Sequence, residues 1–184
     1  DMDGVKIETS ALIYTIRHNH LEMVKELIKV DKNLNEALIL TIRDGHSDEL
    51  VEKLISEGAD VNYLPEYHSP LMAATNARRL KTVQYLLKKG ANVNQANQLG
   101  NTALMEASEE NSHSIVQSLL EAGANVNQAD KNGRTALMKA IVKHNSKIVE
   151  TLLKAPAMKG SFFGFFGANP INYADENGDT ALIL

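Results

Sequence analysis

The chain has 184 residues, of which 43% are hydrophobic and 23% are charged, and its formal net charge is -4 at pH 7. This balance is typical of a globular domain with a substantial core, and the slight acidity gives no general attraction for phosphate backbones, which argues against nucleic-acid binding. The lack of cysteine excludes disulfides, thiolate metal sites and a cysteine nucleophile, no apolar run approaches the ~18 residues that a membrane span needs, and no signal peptide is visible.

Two short patterns recur along the chain and indicate an internal repeat. The first reads SALI at 10, EALI at 36, SPLM at 69, TALM at 102 and 135, and TALI at 180. Its leucines are separated by 26, 33, 33, 33 and 45 residues, and they are Leu12, Leu38, Leu71, Leu104, Leu137 and Leu182. The second reads GADVN at 58, GANVN at 90 and 123, and GANPIN at 167. The recurring period of 33 predicts a row of similar structural units.

Each unit has the sequence of two short helices, as the stretch from Thr102 to Asn127 illustrates. Thr102 is a suitable N-cap for the first helix. Apolar residues follow it at helical spacing, with acidic residues on other faces: Leu104, Met105 and Ala107, against Glu106, Glu109 and Glu110. After the polar stretch ENSH, a second apolar stripe begins at Ile115, and Gly123 is expected to close this helix in a left-handed conformation. Neither helix can bury its stripe alone, so each unit requires its neighbours.

The pattern closely resembles the ankyrin repeat, which has a 33-residue period and a T-P-L-H-x-A signature. The matching stretches are SPLMAA, TALMEA and TALMKA, and the second-helix element reads TVQYLL at 82, IVQSLL at 115 and IVETLL at 148. The resemblance covers nearly the whole chain. It implies an all-α ankyrin-repeat solenoid, in which helix-turn-helix units carry projecting β-hairpin turns.

This resemblance divides a single domain, residues 1–184, into units. They are assigned to 9–35 (an N-terminal cap), 36–68, 69–101, 102–134, 135–179 with an insertion at 156–166, and 180–184 (a truncated unit). The first spacing of 26 leaves no room for a projecting hairpin, which is why the first unit is interpreted as a cap. A last unit that exposes its leucines is a poor end for a solenoid, so we expect the natural protein to continue beyond Leu184.

The insertion contains every phenylalanine of the chain, namely Phe162, Phe163, Phe165 and Phe166. Two hypotheses remain open for it. The rings fold back onto the helices of the fifth unit as a hydrophobic plug, or they dock onto a partner or a further domain. The plug is favoured, because monomers rarely expose such an apolar patch.

No catalytic constellation emerges from the sequence, which contains no G-x-S-x-G, no P-loop and no H-E-x-x-H motif. His18 and His20 are close together but fall in a predicted polar break, and no carboxylate or thiolate joins them at ligand spacing. We therefore predict no enzymatic activity, no cofactor and no metal site.

The resemblance implies a partner-binding surface on the hairpin tips and on the concave face of the first helices. Carried over to this sequence, the tip positions are Tyr63, Glu66, Tyr67, His68, Gln98, Leu99, Lys131 and Arg134. The helix positions are Asn76, Glu106, Glu109, Glu110, Lys139 and Lys143. The charged residues fit a solvated surface better than an interface, whereas for Tyr63 and Tyr67 the two interpretations are balanced, because aromatic residues are enriched at interface hot spots.

The function expected from these observations is protein–protein interaction by a monomer, without nucleic-acid or membrane binding. The alternative is a targeting or regulatory region of a larger multidomain enzyme or effector, whose catalytic part lies outside this chain. An enzyme within these residues is the weakest hypothesis. The expected location is the cytoplasm, or the cytosol of a host cell if the protein is a secreted effector.

Overall fold

The computed structural model describes residues 11–18, 20–30, 33–65 and 67–155. These residues form ten helices in five consecutive pairs: α1 (Ala11–Arg17) and α2 (Leu21–Leu27), α3 (Leu34–Arg43) and α4 (Asp48–Ser56), α5 (Pro70–Asn76) and α6 (Leu80–Lys88), α7 (Ala103–Glu109) and α8 (His113–Glu121), α9 (Ala136–Val142) and α10 (Ser146–Lys154). The insertion at 156–166 with its four phenylalanines, the truncated unit at 180–184 and Glu66 all lie outside the described residues.

Three of the first helices, α5, α7 and α9, begin at hydroxyl N-caps. Ser69 Oγ accepts a hydrogen bond from the Met72 amide at 3.3 Å, and the Thr102 and Thr135 hydroxyls accept the corresponding bonds at 3.4 Å. Each cap satisfies one of the amide groups that a helix start leaves without an intrahelical partner. The predicted role of Thr102 is therefore confirmed.

The same helices are short because the chain leaves the right-handed region directly after them. Arg78, Asn111 and His144 occupy equivalent positions and have φ of 54°, 55° and 57°. A left-handed residue ends a helix and reverses the chain, so the second helix of each pair folds back along the first. Gly90 and Gly123, which follow the second helices, have φ of 89° and 87°, and the left-handed conformation predicted for Gly123 is confirmed.

The helices stack in two layers with one continuous core between them. First helices pack on first helices from α1 to α9, second helices pack on second helices from α4 to α10, and the two helices of each pair contact each other. The repeated leucines Leu12, Leu38, Leu71, Leu104 and Leu137 are at most 2% exposed. The period of 33 is thus the spacing at which equivalent core residues recur along the chain. The described residues form an all-α repeat solenoid.

The turns that join the units are linked to one another by asparagine side chains. Asn62 Oδ1 accepts from the Asn92 amide at 2.7 Å, and its Nδ2 donates to the Gly90 carbonyl at 3.2 Å. Asn94 repeats both bonds one unit later, with the Asn125 amide at 2.7 Å and the Gly123 carbonyl at 3.3 Å. Within the described ranges, the β character of these turns amounts to one isolated antiparallel bridge between Ala129 and Thr135.

None of the ten helices has both the length and the apolarity that crossing a lipid bilayer requires, in the part of the chain that the structure describes.

Candidate functional site

The first helices present equivalent positions to one face of the solenoid, which we call the concave face. Glu106, Glu109 and Glu110 belong to this face on and after α7, and Lys139, Val142 and Lys143 occupy the equivalent positions of α9. On α5 the equivalents are Ala73, Asn76 and Ala77, so that unit carries no charge there. The face therefore changes from neutral to acidic to basic over three successive units.

Glu106 is the least expected residue of this face, because most of its charged side chain is withdrawn from solvent. Its side chain is only 12% exposed, and its Oε1 lies 3.8 Å from Nε2 of His68. Its Oε2 is fully buried and has no hydrogen-bond partner among the described residues. Burial raises the pKa of Glu106 to about 8; nearby Lys139 opposes this shift, and the like charges of Glu109 and Glu110 add to it.

The other charges of the concave face are paired between units. Lys139 Nζ, itself largely buried, lies 3.1 Å from Oδ2 of Asp130 and 3.8 Å from Oε2 of Glu109. Lys143 Nζ lies 3.4 Å from the other oxygen of Glu109. All three contacts join the unit 102–134 to the unit 135–179, so these acidic and basic positions neutralise each other in the free protein.

Glu110 has a partner on the preceding unit. Nη2 of Arg78 donates to its Oε2 at 2.9 Å, and both side chains remain exposed. An exposed ion pair of this kind is worth ~0–1 kcal/mol. Glu110 is therefore free to exchange this contact for one with another molecule at little cost.

Two large apolar side chains stand exposed on neighbouring hairpin tips. Tyr67 is 50% exposed and Leu99 is 53% exposed. The backbone beneath each is fixed by the following tip, because Asn97 Nδ2 donates to the Tyr67 carbonyl at 2.9 Å and the Lys131 amide donates to the Leu99 carbonyl at 3.0 Å. Val142 on α9 is 68% exposed, and it adds an apolar position on the concave face.

The remaining predicted tip residues differ in their accessibility. Gln98 and Lys131 are exposed, whereas Tyr63 and Arg134 are half-buried. His68 is also partly exposed, and burial lowers its pKa, with the nearby Arg43 guanidinium adding to the effect. The described tip residues other than Tyr67 and Leu99 are thus exposed or half-buried.

Within the described ranges, no group of three or more His, Asp or Glu side chains is arranged to hold a metal ion. His18 stacks on Tyr14, with ring centroids 4.0 Å apart, and its Nδ1 lies 2.8 Å from the Tyr14 carbonyl. A cleft of about 660 Å³ lies on the opposite face, between α2 and α4, with Tyr85 at one side. Its walls are mainly glutamate and lysine side chains from these two helices.

Comparison with known families agrees with this architecture. The family model described as "Ankyrin repeats (3 copies)" matches residues 2–63, 38–130, 71–163 and 115–184. The chain belongs to the ankyrin-repeat family. Ankyrin repeats are in general protein–protein interaction modules, which agrees with the apolar tips and the paired charges.

Two curated ankyrin-repeat proteins are similar to parts of the chain. The ankyrin repeat and KH domain-containing protein mask-1 of Caenorhabditis elegans is 34% identical over 92 residues, which is 47% of this chain and 4% of that protein. The ankyrin repeat and SOCS box protein 6 of Homo sapiens is 45% identical over 62 residues, which is 32% of this chain and 15% of that protein. The chain therefore spans only a small part of the length of either relative.

The ankyrin pattern located the tips and the concave face but not the pairing between units. The sequence assigned Glu106 to an outer face of its helix, whereas in the structure its side chain is only 12% exposed and lies 3.8 Å from His68 of an earlier unit. Arg78 and Asp130 were not among the predicted site residues, although they pair with Glu110 and Lys139. The near-period separation of Arg78 from Glu110, 32 residues, was the available signal.

Proposed function

We propose that this chain binds a partner protein through the hairpin tips and the concave face of its first helices. The observation that carries the proposal is the exposure of Tyr67 and Leu99 on neighbouring tips whose backbones are held by hydrogen bonds between units. Large apolar side chains on a fixed backbone lose little conformational freedom on binding, which is the property of interface anchors.

The charged residues of the face play a second role in this proposal. Glu109 and Glu110 are already paired with Lys139, Lys143 and Arg78, and a partner can compete for the exposed or half-exposed pairs with Lys143 and Arg78. Such contacts steer association and select against partners of the wrong charge, while they add little affinity. The polar tip residues His68, Gln98, Lys131 and Arg134 form the rim of this surface, as does Tyr63. Glu66 lies outside the described residues.

Removal of the anchors tests the proposal. Tyr67→Ala and Leu99→Ala should each weaken binding to a validated partner by about tenfold or more, while thermal unfolding is unchanged. Met23→Ala is the matched control, because Met23 is 57% exposed but lies on α2, a second helix. Equal affinity of all three variants would contradict the proposal.

A second candidate is a targeting or regulatory region of a larger protein. It is favoured by the comparisons, since the chain covers 4% and 15% of the two relatives. An immunoblot of the native source with an antibody against this chain would test it. A band near 20.2 kDa, the mass of this sequence, would contradict the candidate, and a much larger band would support it.

A further inference from the structure

The buried carboxyl group of Glu106 is not accounted for by partner binding. Its fully buried Oε2 has no hydrogen-bond partner in the described part of the chain, so no contact of a partner on the present surface reaches that atom. A carboxylate that is buried without hydrogen bonds is strongly disfavoured relative to the neutral acid. The geometry alone therefore favours a proton on Glu106.

The groups around Glu106 determine how strongly the proton is held. From α9, Lys139 approaches it, but the lysine is itself engaged by Asp130 at 3.1 Å. From its own helix and the residue after it, Glu109 and Glu110 add negative charge. The neighbouring α5 carries no titratable side chain. The segment before α5 provides His68, whose pKa is lowered by burial and by Arg43.

The last element packed on α7 is α8, which carries His113 and Glu121. Nε2 of His113 lies 3.0 Å from the hydroxyl of Thr151 on α10, so that ring is directed away from α7. Among the described residues, the lysine that acts on Glu106, Lys139, is thus shared with Asp130 and Glu109.

We propose that Glu106 is a proton-binding site, whose largely buried carboxyl group carries a proton in the folded protein and changes the charge of the concave face by one unit when it releases that proton. The site has the arrangement of a pH switch, since Glu106 Oε2 is buried without a hydrogen-bond partner among the described residues, whereas the buried carboxyl group of Asp130 is paired with Lys139. Release of the proton leaves Lys139 shared among three carboxylates, namely those of Glu106, Glu109 and Asp130.

The sign of the stability effect follows from the raised pKa. An unfolded chain releases this proton near the ordinary glutamate value of 4.5, whereas the folded protein holds it up to about pH 8. The stabilising contribution is therefore fully present below the lower value and is lost as the pH rises to the upper one. Glu106→Gln removes this dependence, because its amide does not titrate.

The experiment is a carboxyl ¹³C NMR titration of the whole chain, with thermal melts of the same samples. We expect one glutamate signal with a midpoint near 8 that is missing in Glu106→Gln, together with a melting temperature that falls relative to that variant as pH rises. Glu150→Gln is the control, since Glu150 is exposed and its hydrogen bond with Lys154 lowers its pKa. The wild-type signal that is missing from the Glu150→Gln spectrum identifies Glu150, and it should titrate below the ordinary range of glutamate.

A second variant adjusts the same site without removing it. Glu109→Gln removes a neighbouring negative charge and should lower the Glu106 midpoint. A Glu106 signal that titrates near 4.5, or wild-type and Glu106→Gln melts that remain parallel over the whole range, would overturn the proposal. The test requires no partner, so its outcome is independent of the proposed function.

Discussion

Gly100 and Gly123 illustrate two different reasons why a glycine is required. Both have positive φ, of 80° and 87°, where a side chain is strained. A Cβ at Gly123 would have no atom within 4 Å, but one at Gly100 would lie 2.8 Å from the Lys131 amide nitrogen and 2.9 Å from the Asp130 Cα. At Gly100 the next hairpin tip is therefore packed against the glycine itself.

This difference predicts the order of two substitutions. Gly123→Ala should reduce the free energy of unfolding by about 1 kcal/mol through backbone strain alone, and Gly123→Val by more than that. Gly100→Ala should cost more than Gly123→Ala, because the neighbouring backbone must also move. Urea unfolding of the variants measures the order, and equal costs for the two alanine variants would show that the tips are not in close contact.

One position between the paired helices contributes a different side chain in each unit. Arg79, Ser112 and Asn145 are 33 residues apart and have similar backbone angles, with φ of -91°, -91° and -84°. Asn145 Nδ2 donates to the Ser108 and Glu109 carbonyls at 2.7 and 3.3 Å. These carbonyls belong to the last turn of α7, which has no intrahelical donors for them.

Arg79 provides the same kind of contact to the end of α3. Its Nη1 donates to the Thr41 and Ile42 carbonyls at 3.2 and 3.1 Å. Ser112 is too short for this role, and its buried hydroxyl has no hydrogen-bond partner among the described residues. The carbonyl groups at the end of α5 thus receive no hydrogen bond from the side chain of Ser112, unlike those at the ends of α3 and α7.

Ser112→Asn should supply the missing contact. The new amide would donate to the carbonyls of Thr75 and Asn76, which are equivalent to those of Ser108 and Glu109, and should add roughly 0.5–1.5 kcal/mol to the free energy of unfolding. Ser114→Asn on the exposed face of α8 is the control and should be near neutral. A destabilised Ser112→Asn variant would contradict the equivalence of the three positions.

The hydrogen bonds that the turn asparagines form between units lead to a second prediction. Asn94→Ala removes two hydrogen bonds to the next unit, at the Gly123 carbonyl and the Asn125 amide, and should cost about 1 kcal/mol because water can replace part of them. Gln98→Ala, an exposed change in the same turn, should leave the melting temperature unchanged. Equal melting temperatures for the two variants would show that the hydrogen bonds of Asn94 do not stabilise the fold.

At the scale of the whole molecule, the sequence predicted the features that each unit determines by itself. The helix pairs, the Thr102 cap and the buried leucines such as Leu104 follow from spacings within 33 residues, and all are confirmed. The burial of Glu106 did not follow, because its neighbours His68 and Lys139 belong to other units. The ion pairs of Lys139 were missed for the same reason, since a helical pattern shows which face is polar and not what lies opposite.

The exposed apolar tips and the paired charges of the concave face together define the surface that we propose as the binding site. Exposed apolar side chains at Tyr67 and Leu99 lie together on neighbouring tips, whereas Met23 lies on a second helix at the opposite layer. The central claim is that a protein partner covers the first of these surfaces and leaves the second exposed.

Site-specific photo-crosslinking tests this claim most directly. A photoreactive phenylalanine analogue is placed at Tyr67 in one sample, at Leu99 in a second and at Met23 in a third, and each is irradiated with a validated partner. The account predicts a crosslinked product of the same partner from positions 67 and 99 and none from position 23. Crosslinking from position 23 alone would place the interface on the second helices and contradict the account.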